Sequence, residues 1–335
     1  MDTLGAAIWG AGNVSTEHVR AYVGNGNCEV RAIGSRSASS AEAKRDLFDL
    51  DCPIYTDYDA FLADPNIDLY SICTPPEGHS RETILGAEAG KHMLIEKPVA
   101  TNFEDLHSMA DAVSKAGVKT VVSFVLRWNE MIANVKSLIE ADALGEVFYV
   151  QTDYWHPMAS RGLGSGWRGP YTALLSGGCH AVDMARYLMN ADVAAVIALG
   201  VNVNPENTST ANTATMLEFE NGRMGKVSCI TEARMPYVFN VEVFGTEGTF
   251  RNGHVYSKLF PKQDDWAFVP SVEPESADVA EHPFQGEIDH FVHCILNDED
   301  SHVDLADAVN THEVCLAAEV SIERGNEKIS LPFGG

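Results

Sequence analysis

Leu4-Gly5-Ala6-Ala7-Ile8-Trp9-Gly10-Ala11-Gly12-Asn13-Val14-Ser15 is the stretch on which the fold turns. A short apolar run enters Gly-Ala-Gly and then residues that open a helix, the order of a strand, a tight turn and a helix start. Such a turn needs glycine where the backbone must approach a ligand closely. It also aims free helix N–H groups at an anion such as a pyrophosphate. Gly10, Gly12, Asn13 and Val14 are therefore candidate contacts for a dinucleotide. Ser15 stands where the fingerprint has its third glycine, so the match is incomplete.

The same alternation runs on to about residue 125. Glu29 to Gly34 reads as the second strand, Asp68 to Cys73 as a later one stopped by Thr74-Pro75-Pro76, and His92 to Glu96 as another ended by Lys97-Pro98. Lys119 to Phe124 is the last, and Thr101 with Glu104 has capping-box spacing for the helix between them. Apolar strands alternating with helices predict a parallel sheet covered on both faces. The tip of the second strand, Ser35-Arg36-Ser37, carries no acid for an adenosine ribose. Arg36 can bond a 2′-phosphate, which favours NADP slightly, or stack on adenine, which serves NAD as well.

Past Arg127 the pattern changes. A helix is expected over Asn129 to Ala141, a strand over Glu146 to Tyr154, and a Gly-rich loop over Arg161 to Pro170 before the helix that holds His180. Alternating runs such as Thr213 to Phe219 and Val238 to Phe244, broken by Asn221-Gly222 and Thr246-Glu247-Gly248, predict an antiparallel meander. Helices near Glu287 to Leu296 and Leu305 to Glu323 close the chain, with Gly325 as a C-cap. The expected fold is α/β. A Rossmann dinucleotide-binding domain spans 1–125, and an α+β domain with a large, mostly antiparallel open sheet spans 126–335, its last helix packing back toward the first domain.

Composition narrows the function classes. A chain of 335 residues with 45% hydrophobic content suits two globular domains. A net charge of -25 argues against nucleic acid or an anionic membrane as partner. No run approaches the ~18 apolar residues of a membrane span, and the N-terminus enters a strand with no leader pattern, so a cytoplasmic protein is expected. Cys28, Cys52, Cys73, Cys179, Cys229, Cys294 and Cys315 are scattered, odd in number and never in Cys-x-x-Cys spacing, which fits buried apolar residues better than disulfides or zinc. Glu287, His290 and His293 share a helix face without a second ligand set, and no metal is expected.

Glu96-Lys97-Pro98, following Thr74-Pro75-Pro76 and His79, resembles the glucose–fructose oxidoreductase, inositol dehydrogenase and rhizopine-catabolism (Gfo/Idh/MocA) family. Arg127, Leu144-Gly145-Glu146-Val147, Trp167-Arg168, Gly177-Gly178-Cys179-His180-Ala181-Val182-Asp183 and Gly245-Thr246-Glu247-Gly248 fall in the family's order, over the whole chain. The resemblance implies a Rossmann domain followed by a mixed domain whose open sheet often forms the interface of a homodimer or homotetramer. It implies Lys97 beside the nicotinamide ribose and the substrate hydroxyl, His180 facing it from the second domain, and Trp167 and Arg168 on the nicotinamide side. Thr74, Pro75, His79 and Glu96 join Ser35, Arg36 and the glycine loop as expected cofactor contacts. In the inositol dehydrogenase branch an Asp lies four residues before the His; here that position is Ser176.

Oxidising a secondary alcohol requires a hydride acceptor, a base, and a donor for the developing alkoxide. NAD(P) is the acceptor, His180 the expected base with His156 the alternative, and Lys97 the donor. Asp183, three residues beyond His180, and Ser176, four before it, share its helical face. Asp183 either holds a substrate hydroxyl or biases the imidazole. Arg127, Tyr154, His156, Ser176 and Cys179 complete the expected substrate contacts. The expected enzyme is an NAD(P)-dependent dehydrogenase or reductase acting on CH–OH groups of a sugar, sugar derivative or cyclitol. Two alternatives keep the fold: a dinucleotide-binding regulator, and a glycosidase or epimerase that oxidises transiently with tightly bound NAD.

Overall fold

The computed structural model describes residues 3–157, 171–272, 274 and 278–334. The chain divides into two compact units, Met1–Val125 with Val279–Val309, and Leu126–Asp278 with Asn310–Gly335.

In the first unit, strands β1 (Leu4–Trp9), β2 (Cys28–Gly34), β3 (Ile54–Tyr55), β4 (Leu69–Ile72), β5 (His92–Ile95) and β6 (Thr120–Val122) alternate with helices α1 (Ser15–Gly24), α2 (Ala38–Leu47), α3 (Tyr58–Leu62), α4 (Pro76–Glu88) and α5 (Phe103–Ala116). The sheet order is β3-β2-β1-β4-β5-β6, and its pairings are parallel. Ala6, Ala7, Ile8, Leu69, Tyr70, Ile72, Met93, Leu94 and Ile95 are all inaccessible. Strands buried on both faces read as unbroken apolar runs, which is why they were legible. The start of α5 differs from the capping box expected at Thr101 and Glu104. Asn102 is the cap, its side chain accepting the Asp105 N–H at 2.9 Å, because an amide oxygen at that position reaches the free donor of the helix's third residue.

The second unit holds α6 (Glu130–Glu140), β7 (Val147–Trp155), a π-helical turn over Leu174–Gly178 and α7 (Cys179–Met189). Strands β8 (Val193–Val201), β9 (Asn212–Phe219), β10 (Met224–Ile230), β11 (Val238–Gly245), β12 (Gly248–Arg251), β13 (His254–Ser257) and β14 (Ala267–Phe268) follow. The chain closes with α8 (Phe284–Asn297), α9 (Leu305–Glu323) and β15 (Ile329–Ser330). The sheet order is β14-β13-β12-β11-β7-β10-β9-β8-β15. The expected meander is split: β7 lies between β11 and β10, antiparallel to the first and parallel to the second. Thr152, Asp153 and Tyr154 of β7 are all buried, and a strand covered on both faces takes a central place. Helix α8, with the segment around it, belongs to the first unit, where it packs on α1. The expectation had given that return to the last helix, which from Asn310 onward belongs to the second unit.

Helix α8 brings Glu287 into the core of the first unit. The side chain is inaccessible, and it accepts the Ser123 hydroxyl on Oε2 at 3.0 Å. Its Oε1 has no partner among the described residues. Burial, then the charge of Glu96, push its carboxyl well above the usual range, against the weaker pull of Ser123; Tyr22 and Cys73 also face it. A folded-state pKa above the unfolded one means the folded protein holds the extra proton. The associated stability is full below the unfolded pKa, near 4.3, and is lost as pH rises toward the folded value. We expect Glu287→Gln to remove this loss. As pH rises above about 5 the wild-type protein should lose stability relative to the variant, by up to about 1.4 kcal/mol per pH unit, read from urea denaturation, and parallel pH profiles would refute this.

Candidate active site

Gly10 follows β1 with φ at 105°, and a Cβ there would lie 2.6 Å from the Cys73 carbonyl, so only glycine fits. The loop is held from both neighbouring strands: Gly10 N–H donates to the Gly34 carbonyl at 2.8 Å, and Cys73 N–H to the Trp9 carbonyl at 2.7 Å. Gly12 and Asn13 are exposed, and an added Cβ at Gly12 meets nothing closer than 3.9 Å. Val14 caps α1 without a side-chain bond; the Thr16 and Glu17 N–H groups donate to the Asn13 and Val14 carbonyls at 3.1 and 3.0 Å, so an anion here would meet the backbone of the loop that precedes them. Ser15 explains the incomplete fingerprint. It is fully buried and turns its hydroxyl back on the Gly12 carbonyl at 2.7 Å, closing the turn a third glycine would otherwise occupy. These features fit a dinucleotide's pyrophosphate. At the tip of β2, Ser35 is half-buried and Arg36 is exposed, and no acid is present.

The next two strand tips are tied together from below. Glu82 of α4 accepts from the Trp9 indole at 2.9 Å and from the Thr74 hydroxyl. His79, expected at the cofactor, is inaccessible instead; its ring nitrogens lie 2.9 Å from the Thr74 carbonyl and 3.0 Å from the Pro98 carbonyl. It staples the Thr74-Pro75 turn to the Lys97-Pro98 turn. Pro75 itself is exposed.

Glu96 is also turned inward, at 6% exposure. Its Oε1 lies 3.0 Å from His18 Nε2 and its Oε2 accepts the Lys97 N–H at 3.1 Å. His18, inaccessible on α1, continues through Nδ1 to the Ser71 hydroxyl at 3.0 Å, which Tyr22 reaches at 2.9 Å. Burial pushes the Glu96 carboxyl up. The hydrogen bond and charge of His18, with Lys97 alongside, outweigh that and hold it below the usual carboxylate range. Lys97 is half-buried at the end of this chain. The sequence reading missed His18 and Ser71. The signal was present: Ser15, His18, Val19 and Tyr22 follow helical spacing, so a polar residue sat on a buried face.

In the second unit, His180 is the second residue of α7, directly after the π-helical turn. Two glycines set its height above the sheet. A Cβ on Gly177 would lie 2.8 Å from the Tyr154 ring, and one on Gly178 would lie 2.9 Å from the Cys229 side chain. The Thr152 hydroxyl, donating to the Ala181 carbonyl at 2.7 Å, pins the helix there. Tyr154 lies between two imidazoles, stacked with His156 at 5.9 Å and with His180 at 6.4 Å between ring centroids. Tyr237 meets both Tyr154 and His156 edge-on, and burial pushes its phenol well above the ordinary range. Tyr237 was not anticipated, although it shares parity with Phe239, which pairs opposite Tyr154.

Arg127 and Asp183, both expected at the substrate, bind each other. Arg127 Nε and Nη2 donate to the two Asp183 oxygens at 2.9 and 2.5 Å, and both side chains are at most 2% exposed. Arg127 also lies over the Tyr187 ring at 4.7 Å. Ser176 and Cys179 are buried, and the Ser176 hydroxyl contacts the Ala173 carbonyl at 3.5 Å. Trp167 and Arg168 lie outside the described residues. The helix face considered for a metal diverges, with Glu287 buried on Ser123, His290 on Ser301 at 2.9 Å, and His293 exposed beside Glu299.

The glycine pair generates a prediction. Gly177→Ala should destabilise the second unit by about 1–3 kcal/mol, because the added methyl overlaps the Tyr154 ring in a packed interior. Gly26→Ala, whose Cβ meets nothing within 4 Å, serves as the control. Urea denaturation of both variants reads the difference, and equal stability would refute the steric account.

Residues 4–124 match the model of the GFO/IDH/MocA oxidoreductase family with an NAD-binding Rossmann fold, and residues 132–251 match a GFO/IDH/MocA C-terminal domain. An uncharacterized oxidoreductase of Bacillus subtilis (strain 168) is 30% identical over 72% of this chain and 71% of its own. The scyllo-inositol 2-dehydrogenase (NAD(+)) of the same organism is 28% identical over 79% of this chain and 78% of its own. Among solved structures, levoglucosan dehydrogenase in complex with NADH superposes with a TM-score of 0.88 at 23% identity, covering 99% of this chain and 100% of that one. The chain belongs to the GFO/IDH/MocA family of oxidoreductases.

Proposed function

We propose that this protein moves a hydride between a nicotinamide dinucleotide and a secondary alcohol or ketone of a sugar, sugar derivative or cyclitol. The observation that carries this reading is the buried Glu96–His18–Ser71 chain at the β5 tip, which fixes the backbone of Lys97. A tip residue held by a carboxylate and an imidazole taken out of water is a positioned group. Relatives named for inositol and levoglucosan dehydrogenation support the substrate class.

The glycine loop would hold the pyrophosphate, and the bound dinucleotide supplies the hydride acceptor. Lys97 donates to the substrate oxygen as charge develops on it. His180 takes the hydroxyl proton, an imidazole being suited to that role near neutral pH. The Tyr154 ring and the π-helical turn orient His180, and Tyr154, His156 and Tyr237 gather polar ring tips beside it for a hydroxylated substrate. Asp183 and Arg127 act as positioning residues for α7, and Glu96 and His79 do the same for Lys97. Lys97→Ala and His180→Ala should each lower kcat by about two orders of magnitude or more while leaving NAD(P)H binding within a fewfold of wild type. Full turnover in both variants, on a sugar and cyclitol panel followed by NAD(P)H absorbance, would remove this site.

NADP is favoured over NAD at the β2 tip. Arg36 is exposed with no ion-pair partner among the described residues. Ser37, the N-cap of α2, bonds the Ser40 N–H and the Ser39 hydroxyl there, so a cation, hydroxyls and a helix N-terminus meet where a 2′-phosphate would lie. Arg36→Ala should raise the Kd for NADP+ by about tenfold or more and leave that for NAD+ nearly unchanged; a wild-type preference for NAD+ would reverse the assignment. Ile197, Leu199 and Val201 of β8, with Met216 opposite Ile197, are exposed on one face, which supports a homo-oligomer through this sheet. Seven buried free cysteines support a reducing, cytoplasmic setting.

A further inference from the structure

Lys44 lies well inside α2, at 9% exposure, and its ammonium is directed at the glycine loop. It donates to the Gly12 carbonyl at 3.2 Å and to the Thr16 hydroxyl. Both acceptors are neutral. Glu17, whose charge reaches Lys44, is itself paired with Arg20 at 3.0 Å. The buried arginines of the second unit differ, since Arg127 has Asp183 and Arg186 has Asp192.

A cation taken out of water without an anion is costly, and such groups persist where a ligand completes them. Burial accordingly pushes the Lys44 ammonium down, and the charges around it restore only part. Among the described residues no carboxylate bonds it, and the anion that would complete it is of the kind the loop is shaped to receive. Gly12, which Lys44 holds by its carbonyl, is exposed and sterically open on the side where a Cβ would project. The sequence fingerprint gives no hint of this residue, because it comes from the following helix, 32 positions after Gly12.

We propose that Lys44 is a binding residue for the diphosphate of the dinucleotide, clamping the Gly12–Thr16 loop and lending the bound anion its positive charge. This rests on the nicotinamide dinucleotide reading above. It adds a cation that is distinct from Arg36: Arg36 separates NADP from NAD, whereas Lys44 serves the part the two cofactors share.

The test compares the full chain with Lys44→Met, Lys44→Gln and Lys44→Arg, following NADPH and NADH fluorescence on binding, with ADP and adenosine as competitors. Loss of the charge should weaken NADPH, NADH and ADP by about tenfold or more and leave adenosine unchanged, and Lys44→Arg should recover most of the affinity. Lys44→Gln carries the test if the methionine variant does not fold. Equal weakening of adenosine and ADP would overturn the proposal in favour of a purely structural clamp. Binding of NADPH and ADP within twofold of wild type in the uncharged variants would overturn it outright while the cofactor reading stands. A wild-type protein that binds neither dinucleotide overturns both.

Discussion

A carboxylate taken out of water at the end of β5 has to be answered from inside the fold, and the first unit is arranged around that need. Glu96 would be strongly destabilising alone. His18 on α1 answers one oxygen and the Lys97 amide answers the other. The consequence reaches both chemical ends of the unit. Helix α1 must present His18 to β5, and the start of α1 follows the glycine loop, so that loop and the Lys97 tip are placed by one chain of bonds. Ser71, on the strand between β1 and β5, joins the same chain.

The second unit solves its own version of the problem with sterics and an ion pair. Gly177 and Gly178 remove the methyl groups that would hold α7 away from Tyr154 and Cys229. The Arg127–Asp183 pair then fixes the helix one turn beyond His180. A two-pronged guanidinium–carboxylate contact has little freedom to rotate, so it orients the helix as well as holding it. The π-helical turn falls just before His180, in keeping with the tendency of such turns to mark functional positions.

Much of the fold was legible because its signals are local. β1 and α9 fall where apolar runs and periodicity put them, and Gly325 adopts the positive φ expected of a C-cap. What was not legible depends on pairing at a distance. Nothing in the run from Glu146 to Tyr154 says that β7 will lie between β10 and β11, because strand alternation is the same for a first strand and a central one. The site divides the same way. The glycine loop, Lys97 and His180 carry motifs of their own, whereas His18, Glu82 and Tyr237 each act through a partner far along the chain, Glu96, Trp9 and Tyr154 respectively.

Glu96, His79 and Asp183 show why motif residues and contact residues need not coincide. Each sits beside a group with chemical potential, and each is spent on the protein: Glu96 on His18 and an amide, His79 on two carbonyl neighbours, Asp183 on Arg127. A motif read from sequence records which residue types must be adjacent, without separating the one that meets the ligand from the one that holds it still. Burial makes that separation. Lys97 remains half-buried while its neighbours Glu96 and Pro98 are enclosed, and a long cation on a fixed backbone retains the reach that the proposed donor role requires.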